Sequence, residues 1–188
     1  MRLITAPVLY PLTLEEAKDH LRLESDSDDA HVTDCIAAAV EWVEAQCRRR
    51  FVTQTWELIL DSFPYCEELE LPGGVLASIT SVKYLDESGV EQTWSSANYE
   101  VDAASEPGKL RLAYGASWPT HRDRWNAIVI RYVLGTAVEF VPVSIKNALK
   151  LLTSQMYEHR TPEVSGAVLA PVKFSVDALI GPYRLPVV

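Results

Sequence analysis

Long apolar runs are missing from this chain. None approaches the ~20 residues that a membrane-spanning helix needs, and the opening segment meets Pro11, Glu15 and Glu16 before a signal-peptide core could form. A soluble protein made in the cytosol is therefore expected. Cysteine is scarce: Cys35, Cys47 and Cys66 cannot build a closed disulfide framework, and the first two fall in a helical pattern, so reduced, mostly buried thiols are expected. Basic charge is in deficit. Against 26 Asp and Glu stand 17 Lys and Arg, a net charge of −9 over 188 residues, which argues against a protein whose main task is to grip nucleic acid through its phosphates.

Catalytic signatures are missing too. There is no CxxC, no HExxH, no GxGxxG and no GxSxG, and Gly73-Gly74 is followed by no Lys-Ser/Thr that would complete a phosphate cradle. His31 and Cys35 are four apart on one helical face and could share a metal, yet no further ligand stands at a recognised spacing. The acidic stretch from Glu24 to Asp34 lacks the central Gly and final Glu of a calcium loop and reads as a solvated helix start. His20, His121 and His159 have no neighbours that mark them as bases. No metal site, cofactor site or catalytic residue is predicted, so the chain reads as a non-enzyme.

What is present is an ordinary globular composition, 48% hydrophobic and 23% charged, and a length that suits one domain or one with an appendage at ~150 residues per domain. Thr13-Leu14-Glu15-Glu16 is a capping box, and Leu14, Ala17 and Leu21 follow at helical spacing as far as Leu23. Asp26 or Ser27 then caps a second helix, in which Val32, Ile36, Ala39 or Val40, Val43 and Cys47 draw one apolar stripe. Arg48, Arg49 and Arg50 complement the negative end of its dipole; as a DNA contact they would sit in the acidic half of the chain.

From Phe51 the period changes from helical to alternating. Val52, Trp56, Leu58 and Leu60 face one way while Thr53, Thr55 and Glu57 face the other. Further strands are expected over 68–71, 78–85, 90–94, 99–101, 109–113 and 127–134, with Asp86-Glu87-Ser88-Gly89 as a hairpin turn. After Gly135 helical spacing returns: Pro142 suits a first turn, and Ile145, Ala148 or Leu149, Leu152 and Met156 form a face ending near His159. Pro162 stops that helix, 161–174 reads as loop, and Ser175 caps a short helix to Ile180 before Gly181-Pro182. No internal repeat is found.

The fold expected is therefore α+β: a helical bundle of two N-terminal helices with one long and one short C-terminal helix, and an inserted antiparallel β region. Residues 1–50 would be the N-terminal helices, 51–135 the β region, 136–180 the C-terminal helices and 181–188 an extended tail. Trp42 and Trp56 are assigned to the core, whereas Trp94, Trp118 and Trp125 stand in loop or strand-edge contexts open to interface use. Residues 1–94 hold 18 acidic and 7 basic side chains, net −11, and residues 95–188 hold 8 and 10, net +2. Such polarity suits a subunit whose ends meet different partners or copies of itself, or else reflects acidic helix starts clustered early.

Several stretches, in order, resemble the head-tail connector (adaptor) proteins of long-tailed phages, prophages and gene transfer agents. They begin with Pro11-Leu12-Thr13-Leu14-Glu15-Glu16-Ala17-Lys18, the acidic linker, Ile36 to Glu44 and Arg49-Arg50-Phe51-Val52-Thr53-Gln54-Thr55-Trp56. They continue through Leu71-Pro72, Ile79 to Asp86, Tyr99 to Asp102, Glu106-Pro107-Gly108, Val141 to Leu149 and Tyr157 to Arg160, and end with Val176 to Leu185.

The resemblance implies a structural virion protein of the neck, made in the host bacterial cytoplasm. Its subunits form a twelvefold ring under the portal protein, extend the DNA channel, and offer a lower face to a stopper or tail-completion protein, with no membrane partner. It also implies that the C-terminal segment docks on the portal, here Pro182, Tyr183, Arg184, Leu185, Pro186, Val187 and Val188; by analogy with disordered interface segments, the tail beyond Gly181 is expected to order only on assembly. The acidic balance suits a channel that lets DNA slide past without holding it. Stopper or tail-completion proteins of the same neck, and a small metal-binding phage enzyme built on His31 and Cys35, are the alternatives.

Overall fold

In the computed structural model, which describes residues 1–159 and 170–186, the chain divides into two compact units, each discontinuous in sequence. Met1–Pro7 joins Thr53–Thr136 in one; Val8–Val52 joins the chain from Ala137 onward in the other. The architecture is α+β, with four helices and two antiparallel sheets among the described residues.

The second unit is helical. Helix α1 (Leu14–Leu21) starts on the expected capping box, the Thr13 hydroxyl accepting from the Glu16 N–H at 3.1 Å and the Glu16 carboxylate accepting from the Thr13 N–H at 3.0 Å. It ends in a left-handed Arg22 (φ 57°), with the Leu23 N–H closing onto the Lys18 carbonyl. Helix α2 (Asp29–Cys47) starts later than expected: Asp28, not Asp26 or Ser27, is the N-cap, and its side chain makes no capping bond. That carboxylate instead accepts from the Tyr157 hydroxyl at 2.5 Å, a tertiary partner that no local pattern announces. The stripe Val32, Ile36, Ala39, Val40, Val43 and Cys47 is buried as its spacing predicts.

The α2 stripe packs with Ile145, Ala148, Leu149 and Leu152 of α3 (Val143–Glu158) and with Val176 and Ile180 of α4 (Ala170–Ile180). Of the loop expected over 161–174, residues 161–169 lie outside the described residues and 170–174 are helical, so Ser175 stands inside α4 and is not its cap. Pro162 lies outside the described residues.

The first unit is β. Strand β1 (Arg2–Thr5) pairs with β2 (Gln54–Leu60), β2 with β8 (Ile128–Leu134), β8 with β4 (Leu76–Leu85), and β4 with β5 (Glu91–Trp94), giving the order β1-β2-β8-β4-β5. A second sheet runs β3 (Glu68–Leu71), β7 (Gly108–Leu112), β6 (Tyr99–Asp102). Their inner faces share one core that includes Leu71, Val82, Leu110, Ile130 and Tyr132. The sheets come so close at Gly108 that a Cβ there would lie 2.4 Å from the Leu76 Cβ.

Two expectations change here, and one burial was not foreseen. Residues 1–7, placed with the N-terminal helices, belong to the β unit, because Arg2–Thr5 gains its strand conformation only by pairing with β2. The strand expected from Val52 starts at Gln54, since Phe51 and Val52 are buried in the helical core. Glu57, on the polar side of the strand as expected, is nevertheless only 2% exposed. Its neighbours on β1 and β8 are Arg2 and Arg131, whose guanidinium groups bracket its carboxylate: Arg2 Nε reaches Oε2 at 3.2 Å and Arg131 Nε reaches Oε1 at 3.0 Å. Burial works to raise the Glu57 pKa, but the hydrogen bonds from Arg131 and Arg2 outweigh it and hold it below the ordinary carboxylate value.

Candidate assembly surface

The end of the helical unit where α2 stops and α3 starts carries the C-terminal segment. α4 runs into a 3₁₀ turn, Gly181–Tyr183, so the tail expected to be extended throughout is turned at its start. The Tyr183 hydroxyl lies 3.1 Å from the Ser144 hydroxyl in the first turn of α3, and its ring meets Phe51 edge-on at 6.5 Å. The Leu185 N–H donates to the Cys47 carbonyl at 3.0 Å, and Arg48 Nη1 donates to the Leu185 carbonyl at 3.3 Å. Arg184 pairs with Asp177 at 2.6 Å.

Residues 181–186 are thus seated on their own helices in the single chain, where the sequence suggested a segment that orders only on assembly. The seat exists because the last carbonyls of a helix have no partner inside it: the Cys47 carbonyl is one of them, and the tail supplies its donor. Burial pushes the Cys47 thiol up to about 11, against the pull of the Arg184 and Arg49 charges. Pro182, Arg184 and Pro186 remain exposed, Tyr183 and Leu185 are half-buried, and Val187 and Val188 lie outside the described residues. Beside Ser144, Val143 and Phe140 are 71% and 73% exposed, so apolar surface is on offer at the same end of the unit.

The arginine run divides its labour. Arg48 is the left-handed C-cap of α2 (φ 53°) and reaches the tail, while Arg50 pairs at 3.1 Å with Glu44, whose other oxygen accepts from the Phe51 N–H at 3.0 Å. This is a helix terminus tied to its flanking chain. Sequence reasoning singled out Tyr183 and Arg184 but not Ser144, Cys47 and Phe51 beneath them; the one signal for that seat was a tyrosine beyond the helix-ending Gly181-Pro182.

The remaining candidates also find places. Cys35 Sγ lies 3.9 Å from His31 Nε2, and the His31 ring packs on Tyr157 at 5.7 Å; among the described residues no three His, Cys, Asp or Glu side chains are grouped to hold a metal ion. In the acidic stretch, Lys18 bridges Asp26 at 2.5 Å and Asp29 at 2.7 Å. Trp94, expected at an edge, is 7% exposed and stacks on Tyr99. Trp118 stacks on Phe63 at 4.8 Å and donates its indole N–H to the Cys66 carbonyl, while Trp125 stays 81% exposed. Among the described residues no helix is long and apolar enough to cross a membrane.

Comparison with known proteins adds three findings. Residues 11–100 match the family model described as phage gp6-like head-tail connector protein. The fold is similar to a chain in the neck of an empty gene transfer agent particle computed with C6 symmetry, at 24% identity and a TM-score of 0.78, over 99% of this chain and 97% of that one. It is also similar to a chain in the neck of the native particle computed with C12 symmetry, at 23% identity and a TM-score of 0.76, over the same shares. No curated protein matches the chain.

Proposed function

We propose that this chain, which belongs through residues 11–100 to the phage gp6-like head-tail connector family, is a structural subunit of a virion neck, set between head and tail. The family match is the observation that carries this reading; it covers α1, α2 and the strands from β2 to β5, and the fold shared with neck chains of gene transfer agent particles supports it. In this reading the subunits form a ring, twelvefold on the particle, under the portal. The helical unit is the ring's bundle, the β unit is its insertion, and the chain has a scaffolding rather than a catalytic role.

The C-terminal segment from Pro182 to Val188 is the portal contact. Its seat supports that assignment: the helices hold Tyr183 in place, leaving Pro182, Arg184 and Pro186 at the surface beside exposed Val143 and Phe140. Tyrosine and arginine are the residue types that anchor protein interfaces. DNA passes through the ring without being held, since a net charge of −9 per copy gives the phosphates little to bind.

The test is reconstitution of the full chain onto portal-bearing, tail-less heads, imaged for a ring at the portal. A chain lacking residues 182–188 is expected to keep its helical circular dichroism and to lose attachment. Attachment at wild-type concentration by that truncated chain would remove the tail from the contact; no attachment by the intact chain would refute the connector reading.

A further inference from the structure

Strand pairing lines up three charges on the outer face of the five-stranded sheet. Arg2, Glu57 and Arg131 stand side by side on β1, β2 and β8. The outer face of the three-stranded sheet carries a second such row, in which Glu68, Arg111 and Glu100 stand side by side on β3, β7 and β6. Both rows step by about 4.8 Å from strand to strand, and their signs are inverted.

Neither row is internally neutral. One carboxylate, Glu57, serves two guanidinium groups, leaving a net positive charge on side chains that are 62% and 44% exposed at Arg2 and Arg131. In the other row Arg111 pairs with Glu100 at 2.5 Å, while Glu68 shares Lys109 with Glu70 at 3.6 Å each, and Asp102 completes a face with four acids and two bases. Because the inner faces of the two sheets share one core, these outer faces look in opposite directions.

We infer that copies of this chain meet through these two faces, the Arg2–Glu57–Arg131 row of one against the Glu68–Arg111–Glu100 row of the next. Faces on opposite sides of one unit give a heterologous contact, and such contacts, repeated, close a ring when the rotation between neighbours divides the circle, here into the twelve steps of the ring reading. The inference rests on the ring reading above and names the surface that joins neighbours. Half-exposed charges contribute orientation and partner choice more than bulk affinity, because a shift in register sets like charges against each other.

The test inverts the exposed row in the full chain, with Glu68→Lys, Arg111→Glu and Glu100→Lys together, so that pairing within the row is kept. Copies bound per portal-bearing head are counted against protein concentration and salt. The inverted chain should need about tenfold more protein to fill the ring, and the neutralised chain Glu68→Gln/Glu100→Gln should fall between the two and lose most of its salt dependence. Should the inverted chain fail to fold by circular dichroism, the neutralised chain decides alone. Filling at wild-type concentration with unchanged salt dependence overturns the inference while leaving the connector reading standing; failure of the intact chain to attach overturns both.

Discussion

The Leu185 N–H closes on the Cys47 carbonyl at 3.0 Å, so the C-terminal segment caps the end of a helix that lies 138 positions earlier in the chain. The Cys47 thiol beside it lies 3.9 Å from the Ile180 carbonyl, and burial raises it to about 11 from an ordinary 9.0. At pH 8 a thiol reagent should modify one cysteine quickly, the exposed Cys66, with Cys35 and Cys47 protected. Removing residues 182–188 should expose a second. Two fast thiols in the intact chain would mean that the tail does not hold its seat. The same shift predicts stability that is full below pH 9 and falls as the pH rises toward about 11, because the unfolded thiol ionises first.

Acid should act through the β unit. Asp86 is held at about 2 by the Ser88 hydroxyl, the Gln92 amide and the Val90 N–H, all within the β4–β5 hairpin. A carboxylate depressed in the folded state stabilises above its unfolded pKa, near 4, and that stability is lost as the pH falls through about 2. Asp86→Asn should flatten this acid limb in thermal melts between pH 5 and pH 2; an unchanged slope would show that the turn does not bind its carboxylate.

Glu57 is the hub of its sheet. Replacing it with Ala removes charge-assisted bonds to two strands and should cost about 2–3 kcal/mol in denaturant unfolding, whereas Arg2→Ala, at a more exposed position, should cost under about 1 kcal/mol. Equal costs would contradict the bracketed geometry.

Thr153 on α3 is 1% exposed, and among the described residues its hydroxyl has no hydrogen-bond partner. Thr153→Val keeps the shape and removes the stranded group, so it should raise stability by about 1 kcal/mol. A loss of stability would reveal a partner for the hydroxyl.

Arg22 closes α1 with φ 57°, a conformation that glycine adopts without strain. Since Arg22 is exposed, Arg22→Gly should stabilise by about 1 kcal/mol, read as a higher melting temperature.

Much of this molecule is local, and what is local was legible. Thr13 and Glu16 cap α1 because both are within one helical turn; the α2 stripe from Val32 to Cys47 follows from a period of 3.6; the Asp86–Gly89 turn needs only its own residues and Gly89 at φ 87°. What the sequence alone determined was where most helices and strands lie and which side of α2 and α3 is apolar, because these depend on neighbours one to four positions away. Tertiary structure decided the rest. Arg2–Thr5 has no strand signature and becomes β1 only against β2; Glu57 is buried only because Arg2 and Arg131 arrive on either side; the Cys47 carbonyl finds its donor in Leu185. In each case the deciding partner is far along the chain, and hydrogen-bond satisfaction and burial are settled by proximity in space, which no local period records.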